Sequence, residues 1–376
     1  MKHTEMAEKY LGESIGKLGF GFMRLPRIGD AFDTEQINRM VDRFMSAGFT
    51  YFDTAYVYEG SEDALRKSLV ERYPRERFQI ATKLNLMFAK TADELPGFFE
   101  TSKERLGVKY VDFYLLHGLG GPSIEKAEEL KAWDYIKSLK ESGEARHIGL
   151  SFHGTPEELE EIFRKHPEAE FVQLQINYLD WDSEQVQSRR VYEVARGYNI
   201  PVTIMEPVKG GLLASEASPA AELFRARDPK ASPASWALRY AARLEGLITV
   251  LSGMSTYEQV ADNTATFEDM KPLTDEELAA ICNAADALNS VPRVPCTGCN
   301  YCAPNCPQKL AIPALMRIYS DYLVHKTAPA LLHGYGFAVR AGGKAKDCIA
   351  CRVCEEHCPQ HIEIADTVAK LSALVD

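Results

Sequence analysis

Long apolar runs are missing from this sequence. No stretch approaches the roughly 18 to 20 apolar residues of a membrane-spanning helix. The N-terminal MKHTEMAEKYLGESIGKLGF places acidic residues where a signal peptide needs an unbroken apolar core. Basic charge is also short. Lys and Arg number 43 against 54 Asp and Glu, a formal charge of −11, so the protein should repel polyanions, and nucleic acid is not expected as a partner. The glycine fingerprint of a dinucleotide fold is absent as well. Gly16, Gly19 and Gly21 fall inside the first strand region and HGLGGP follows the fourth; neither sits at the strand-to-helix turn of a first βαβ unit with a suitable acid downstream. Cysteine is almost absent before residue 290. Of nine cysteines, eight lie in two short runs near the C-terminus, where metal ligation needs them reduced. That excludes a secreted disulfide framework and predicts a soluble, cytoplasmic protein.

What the sequence does hold is strand alternating with helix. At 376 residues and 45% apolar content, the chain has room for one large domain and a small one. Short apolar runs occur at KLGFGFM (17–23), TYFDTA (50–55), FQIATK (78–83), VDFYLLH (111–117), ARHIGLS (145–151), FVQLQIN (171–177), PVTIMEP (201–207) and LITVLSG (247–253). Between them run amphipathic segments such as TEQINRMVDRFMSAG, SEDALRKSLVERY and TPEELEEIFRKH, each opening with Ser or Thr followed by acids that suit a helix N-terminus. Repeated strand–helix units make a parallel sheet. Eight strands close it into a barrel, whereas an open doubly wound sheet usually has five or six. The expected architecture is an α/β (β/α)₈ TIM barrel over residues 1–275, followed by a helical linker and a small α+β domain over 276–376.

In such a barrel the chemistry lies at the C-terminal ends of the strands. Asp53, Lys83 and His117 stand there on the second, third and fourth strands, and Tyr58 follows in the loop after Asp53. Each alone has an ordinary structural explanation; their joint placement on adjacent strands points to a site. FDTAYVYEGSE, IATK and LLHG resemble, in order and spacing, the catalytic segments of the aldo-keto reductases, and the resemblance covers roughly residues 15 to 270. It implies hydride transfer between NAD or NADP and a carbonyl or alcohol, with Tyr58 as the proton donor. A free phenol has a pKa of about 10, and a Lys83 ammonium held by Asp53 would favour its phenolate. His117 would orient the carbonyl oxygen.

The same resemblance implies a set of cofactor contacts: Met23, Arg24, Asp53, Ser151, Gln173, Gln175, Met205, Gly253, Ser255, Gln259 and Asn263. Ser151 matches the serine that meets the carboxamide, although Phe152 replaces the usual asparagine after it. Gln173 best fits the carboxamide glutamine, while Gln175 points to the same face by strand alternation. Met205 occupies the place of an aromatic that stacks on nicotinamide in many members, and a thioether can still pack on a ring. Gly253 and Gln259 stand where many members hold a 2′-phosphate with Lys and Arg, so NAD against NADP stays open; helix N-terminal amides near Ser255 and Thr256 can still receive a phosphate.

Both cysteine runs read C-x₂-C-x₂-C-x₃-C-P: Cys296, Cys299, Cys302 and Cys306, then Cys348, Cys351, Cys354 and Cys358. This is the bacterial two-cluster ferredoxin spacing, in which the fourth cysteine of each run ligates the other cluster. One [4Fe–4S] cluster is then expected on Cys296, Cys299, Cys302 and Cys358, the other on Cys348, Cys351, Cys354 and Cys306. Structural zinc usually uses two separated pairs instead. Cys282, in DEELAAICNAADALN, reads as a buried small apolar residue. LAIPALMRIYSDYLVHK, between the runs, has helical periodicity.

Two functions fit. The first is a carbonyl reductase or alcohol dehydrogenase with an attached ferredoxin-like domain, acting on a small carbonyl or alcohol and meeting a redox partner protein. The second is an electron-transfer or sensing protein in which the barrel is mainly a docking body. Nicotinamide delivers two electrons together while each cluster accepts one, and no flavin motif is evident to convert them.

Overall fold

Eight parallel strands close on themselves in chain order: β1 (Leu18–Gly21), β2 (Tyr51–Asp53), β3 (Gln79–Leu84), β4 (Val111–Leu119), β5 (Ala145–Phe152), β6 (Phe171–Gln175), β7 (Val202–Met205) and β8 (Leu247–Ser252). Each lies within, or within two residues of, an expected run. The computed structural model describes residue 11 and residues 13–325, 328–340 and 342–375. Most of the acidic N-terminal stretch lies outside the described residues.

Register decides what the barrel holds inside. Tyr51 pairs with Gln79 and Asp53 with Ala81, while Ala81 pairs with Phe113 and Lys83 with Leu115. Because side chains alternate with a period of two, Tyr51 and Asp53 share a face, as do Ala81 and Lys83, and Phe113, Leu115 and His117. Tyr51, Ala81, Phe113, Leu115, Phe171 and Ile248 form a buried apolar cluster, with the Phe113 ring edge-on to Phe171 at 5.2 Å. One step further along the same strands come Asp53, Lys83 and His117. The alternation that fills the barrel with apolar side chains therefore lifts the polar ones to its C-terminal mouth.

The helices show where local signals hold. Pro156–Lys165 opens on a complete capping box between Thr155 and Glu158. Thr34–Ser46 is capped instead by Asp33, whose carboxylate accepts from the Gln36 amide. Ser61 does not cap Ser61–Leu65; its hydroxyl donates to the Phe22 carbonyl and meets the Thr54 hydroxyl. Helix Asp275–Asn289 buries Ile281, Ala284 and Leu288, which turns Cys282 to the exposed side. The expected burial of Cys282 is thus corrected: the alanines around it let several faces pass as the apolar one.

The chain divides into two compact units. The first comprises residues 1–183, 187–207 and 234–278, and the second 184–186, 208–233 and 279–376. The second unit thus takes in the chain that leaves β7 as well as the C-terminal region. It includes helices Ile312–His325, Ala328–Ala338 and Ile364–Val375, the first matching the helical periodicity between the cysteine runs; Lys326 lies outside the described residues. Its β component among the described residues is one isolated parallel bridge, Leu310 to Gly343. Leu315, Met316, Leu331, Val368 and Leu371 form its core.

Candidate active site and cysteine centre

Lys83 is the fixed point of the barrel mouth. Its side chain is 1% exposed, and its ammonium donates to Asp53 Oδ1 at 2.7 Å and to the Thr54 carbonyl at 2.7 Å. Asp53 Oδ2 has no hydrogen-bond partner among the described residues. Burial pushes the Lys83 ammonium below its ordinary pKa and the Asp53 carboxyl above its own, with the ion pair opposing both shifts. The Tyr58 ring centroid lies 5.3 Å from Lys83 Nζ, and that ring meets His117 edge-on at 5.9 Å. Burial, with the charges of Lys83 and His153 adding to it, holds His117 well below the usual histidine range, so its imidazole is neutral at pH 7. The structure therefore brings Asp53, Tyr58, Lys83 and His117 together.

On the opposite wall, Ser151, Gln173 and Thr203 lie side by side in register, as do Gln175 and Met205. The Gly118 amide, next to His117, donates to Ser151 Oγ at 2.7 Å. Gln173 donates to the Met205 sulfur at 3.5 Å and leaves its own amide oxygen buried without a partner among the described residues. Gln175 instead donates to Asp180 at 2.8 Å, a carboxylate that also receives Asn177. Met23 and Arg24 occupy the turn after β1. Arg24 reaches Glu206 at 3.8 Å, and its carbonyl accepts from the Ser255 hydroxyl. A side chain at Gly253 would meet nothing nearer than Arg24 Cδ, 3.8 Å away. The Ser255 amide is taken by Gln259 Oε1 at 2.7 Å, and Asn263 donates to Ser252 Oγ at the end of β8. A phosphate on the Ser255 amide must displace the Gln259 side chain.

Four contributors escaped the sequence reading. Thr54 supports Lys83 through a backbone carbonyl, which no side-chain pattern announces. Ser61 braces Thr54, Asp180 clamps Gln175, and the buried Glu62 carboxylate accepts from Thr82 and meets Arg105 at 3.3 Å. Only Asp180 carried a local signal, the N-x-x-D spacing from Asn177.

In the second unit none of the cysteines forms a disulfide. Two cavities stand among them. One is lined by Cys296, Cys299, Cys302 and Cys358, the other by Cys306, Cys348, Cys351 and Cys354, so each takes three thiols from one run and the fourth from the other. Among the described residues no three His, Cys, Asp or Glu side chains converge as a single-ion site. Structural zinc usually takes two separated cysteine pairs, whereas in a cubane each thiolate binds a different iron. The backbone repeats with the runs. Asn300 and Arg352, each directly after a second cysteine, and Lys309 and His361, each three residues after a fourth, all adopt positive φ. Such alternations of hand open concave rows of amides that receive anionic sulfur, and the Leu310 amide donates to Cys306 Sγ at 3.5 Å. Donor set and backbone fit a four-iron cluster in each cavity.

The fold and this mouth define a barrel oxidoreductase with an iron–sulfur appendage, and comparison with known proteins agrees. The aldo/keto reductase family model matches residues 17–286, and a 4Fe-4S dicluster domain matches residues 295–363. The chain is 28% identical over 283 residues to the 9,11-endoperoxide prostaglandin H2 reductase of Trypanosoma cruzi, covering 72% of this chain and 90% of that protein. It is equally close to an aldo-keto reductase of a Mycobacterium species, with 72% and 87% covered. The holo form of an aldo-keto reductase from Bacillus halodurans superposes with a TM-score of 0.61 at 25% identity, over 73% of this chain and 94% of that one. A Klebsiella pneumoniae aldo-keto reductase in complex with NADPH shares the fold with a TM-score of 0.59 at 20% identity, over 72% and 92%. The chain belongs to the aldo/keto reductase family and is an NAD(P)-dependent oxidoreductase of that type. Among the described residues no helix is long and apolar enough to cross a membrane.

Proposed function

We propose that the barrel mouth reduces a small carbonyl, or oxidises the matching alcohol, with Tyr58 moving the proton, and that the second unit carries two [4Fe–4S] clusters. The observation that carries the first part is the Lys83 ammonium, buried under the Tyr58 ring and tied to Asp53. It stabilises the negative charge that develops on the phenol oxygen as its proton leaves. His117, neutral, donates a hydrogen bond to the carbonyl oxygen and holds it beside Tyr58. Nicotinamide held at this mouth would supply or accept the hydride at carbon. Gln173 is the better carboxamide partner, because its amide oxygen lacks a partner while Gln175 is engaged by Asp180; Ser151, already accepting from Gly118, keeps its own proton to donate. Met205, beside Gln173, would pack against the ring of a bound nicotinamide. Met23, Arg24, Gly253, Ser255, Gln259 and Asn263 would surround the remaining dinucleotide without offering a lysine for a 2′-phosphate.

The crossed cavities support one cluster on Cys296, Cys299, Cys302 and Cys358 and one on Cys306, Cys348, Cys351 and Cys354. Cys351 and Ile349 are exposed, so a redox partner protein would meet the second cluster there. The test is oxidation of NADH and NADPH with a panel of aldehydes and quinones, run beside reduction of one-electron acceptors. Turnover with carbonyls that disappears in Tyr58→Phe supports the reading. One-electron traffic alone, indifferent to Tyr58, replaces it with an electron-transfer protein built on a docking barrel.

A further inference from the structure

The chain leaving β7 enters the second unit at Val208, and there the VKGG segment meets both arms of one cysteine centre. Lys209 is 5% exposed, and its ammonium donates to Gln360 Oε1 at 3.0 Å; Gln360 is itself 4% exposed. Gln360 follows Cys358 by two residues and, with Thr297, lines the cavity of Cys296, Cys299, Cys302 and Cys358. Gly210, the next residue, has φ +64, and a Cβ there would fall 2.8 Å from the Thr297 carbonyl oxygen. The loop thus grips the segment after Cys296 and the segment after Cys358 at once. Lys209, Gly210 and Gly211 all adopt positive φ, at 45°, 64° and 99°. That conformation is disfavoured for a lysine and persists where the surroundings impose it.

The Lys209 ammonium is thus held by a residue that lines the cavity, and a cluster ligated by four thiolates there is an anion whose charge grows more negative on reduction. The second cavity is served differently. Arg352 is the charged residue on its lining, but its side chain is half exposed and bonded to Glu355 and Asp366, so solvent and two carboxylates screen it. Net charge and exposure around a cluster are what set its potential, and the two centres differ in both.

We propose that Lys209 is a positioning charge that raises the reduction potential of the cluster on Cys296, Cys299, Cys302 and Cys358 above that of its neighbour, making it the electron sink of the pair. The inference rests on the two-cluster reading above. The step is a one-electron reduction by a low-potential chemical reductant such as dithionite, with no bond formed or broken.

The experiment is a mediator-controlled redox titration of the full-length protein, prepared without oxygen and followed by electron paramagnetic resonance. Cys351→Ser, which removes a ligand from the centre of Cys306, Cys348, Cys351 and Cys354, assigns the two signals. Wild type should show two midpoints, the higher belonging to the Lys209 centre. Lys209→Met should lower that midpoint by a tenfold change in the reduction equilibrium or more, which is about 59 mV for one electron, and leave the other in place. Lys209→Arg should restore it. Where Lys209→Met fails to load iron, Gln360→Glu decides, since a carboxylate beside the ammonium should lower the same midpoint. A variant that carries full iron and sulfide with both midpoints unchanged, or both shifted equally, overturns the proposal. Absence of iron and sulfide from the wild type instead refutes the cluster reading beneath it.

Discussion

Replacing Lys83 by methionine separates the structural from the chemical part of the barrel mouth. The side chain is 1% exposed and makes two bonds of 2.7 Å. Methionine keeps most of the volume but leaves the Asp53 carboxylate, whose Oδ2 already lacks a partner, buried and uncompensated. Breaking one side of a buried pair costs about 3–5 kcal/mol, a large share of the roughly 5–15 kcal/mol that holds a protein folded. Asp53→Asn added to Lys83→Met removes the orphaned charge and should recover about half of that loss. The sign with pH follows. With the lysine gone, burial raises the folded Asp53 pKa further above its unfolded value, so the penalty is small below about pH 4 and grows as pH rises through the folded value. Tyr58→Phe, by contrast, removes one half-buried hydroxyl and should change stability by less than about 1 kcal/mol, while turnover falls by about 10² or more with cofactor affinity nearly intact. Urea unfolding at pH 4 and pH 8, with steady-state kinetics on the same preparations, reads all three variants. A Lys83→Met protein as stable as wild type at pH 8 would refute the argument that the buried pair holds the mouth together.

At the opposite end of the barrel, burial opposes charge on His147, but Glu13 and Glu170 outweigh it and lift the imidazole to about 9. After discounting for solvent, that is about 2 kcal/mol, present below pH 6.5 and lost as pH rises through 9; His147→Gln should abolish this fall in the urea midpoint, and an unaltered pH dependence would exclude it. Protein purified without oxygen should be brown with about eight irons, and Cys306→Ala should damage mainly the cluster of the later run; zinc without sulfide by elemental analysis would overturn both. A chain ending near Ser290 keeps every barrel residue assigned here and should still quench its fluorescence on binding NADH or NADPH, while melting lower because Lys209 and Gly210 lose Gln360 and Thr297. A soluble, folded truncation that binds neither cofactor would show that the C-terminal region completes the cofactor site.

The strands were legible because each is a short apolar run between turn-forming residues, and Asp53, Lys83 and His117 because they fall at the strand ends where a barrel opens. The paired motif spacing exposed the cysteine centres, since three thiols three residues apart have few other uses. What stayed hidden was long-range or carried by backbone. The Thr54 carbonyl has no side-chain signature, and the burial of Lys209 depends on Gln360, 151 positions away. Membership of residues 208–233 in the second unit rests on packing that no local periodicity records. Cys282 was misplaced because an alanine-rich helix offers more than one apolar face.

The discontinuity of the second unit also orders events during synthesis. Residues 208–233 leave the ribosome well before Thr297 and Gln360, and at about 5–20 residues per second the wait for Gln360 is on the order of 10 seconds. Through that interval the chain after β7 has been made but its partners have not, so the strand carrying Met205 is tethered to a segment still without its native neighbours. A nascent barrel can close before the second unit is complete, yet the segment emerging from β7 meets its partner only once Gln360, two residues beyond the last cysteine, has been added. Insertion of the proposed clusters would follow the same timetable, since Cys358 is among the last residues made.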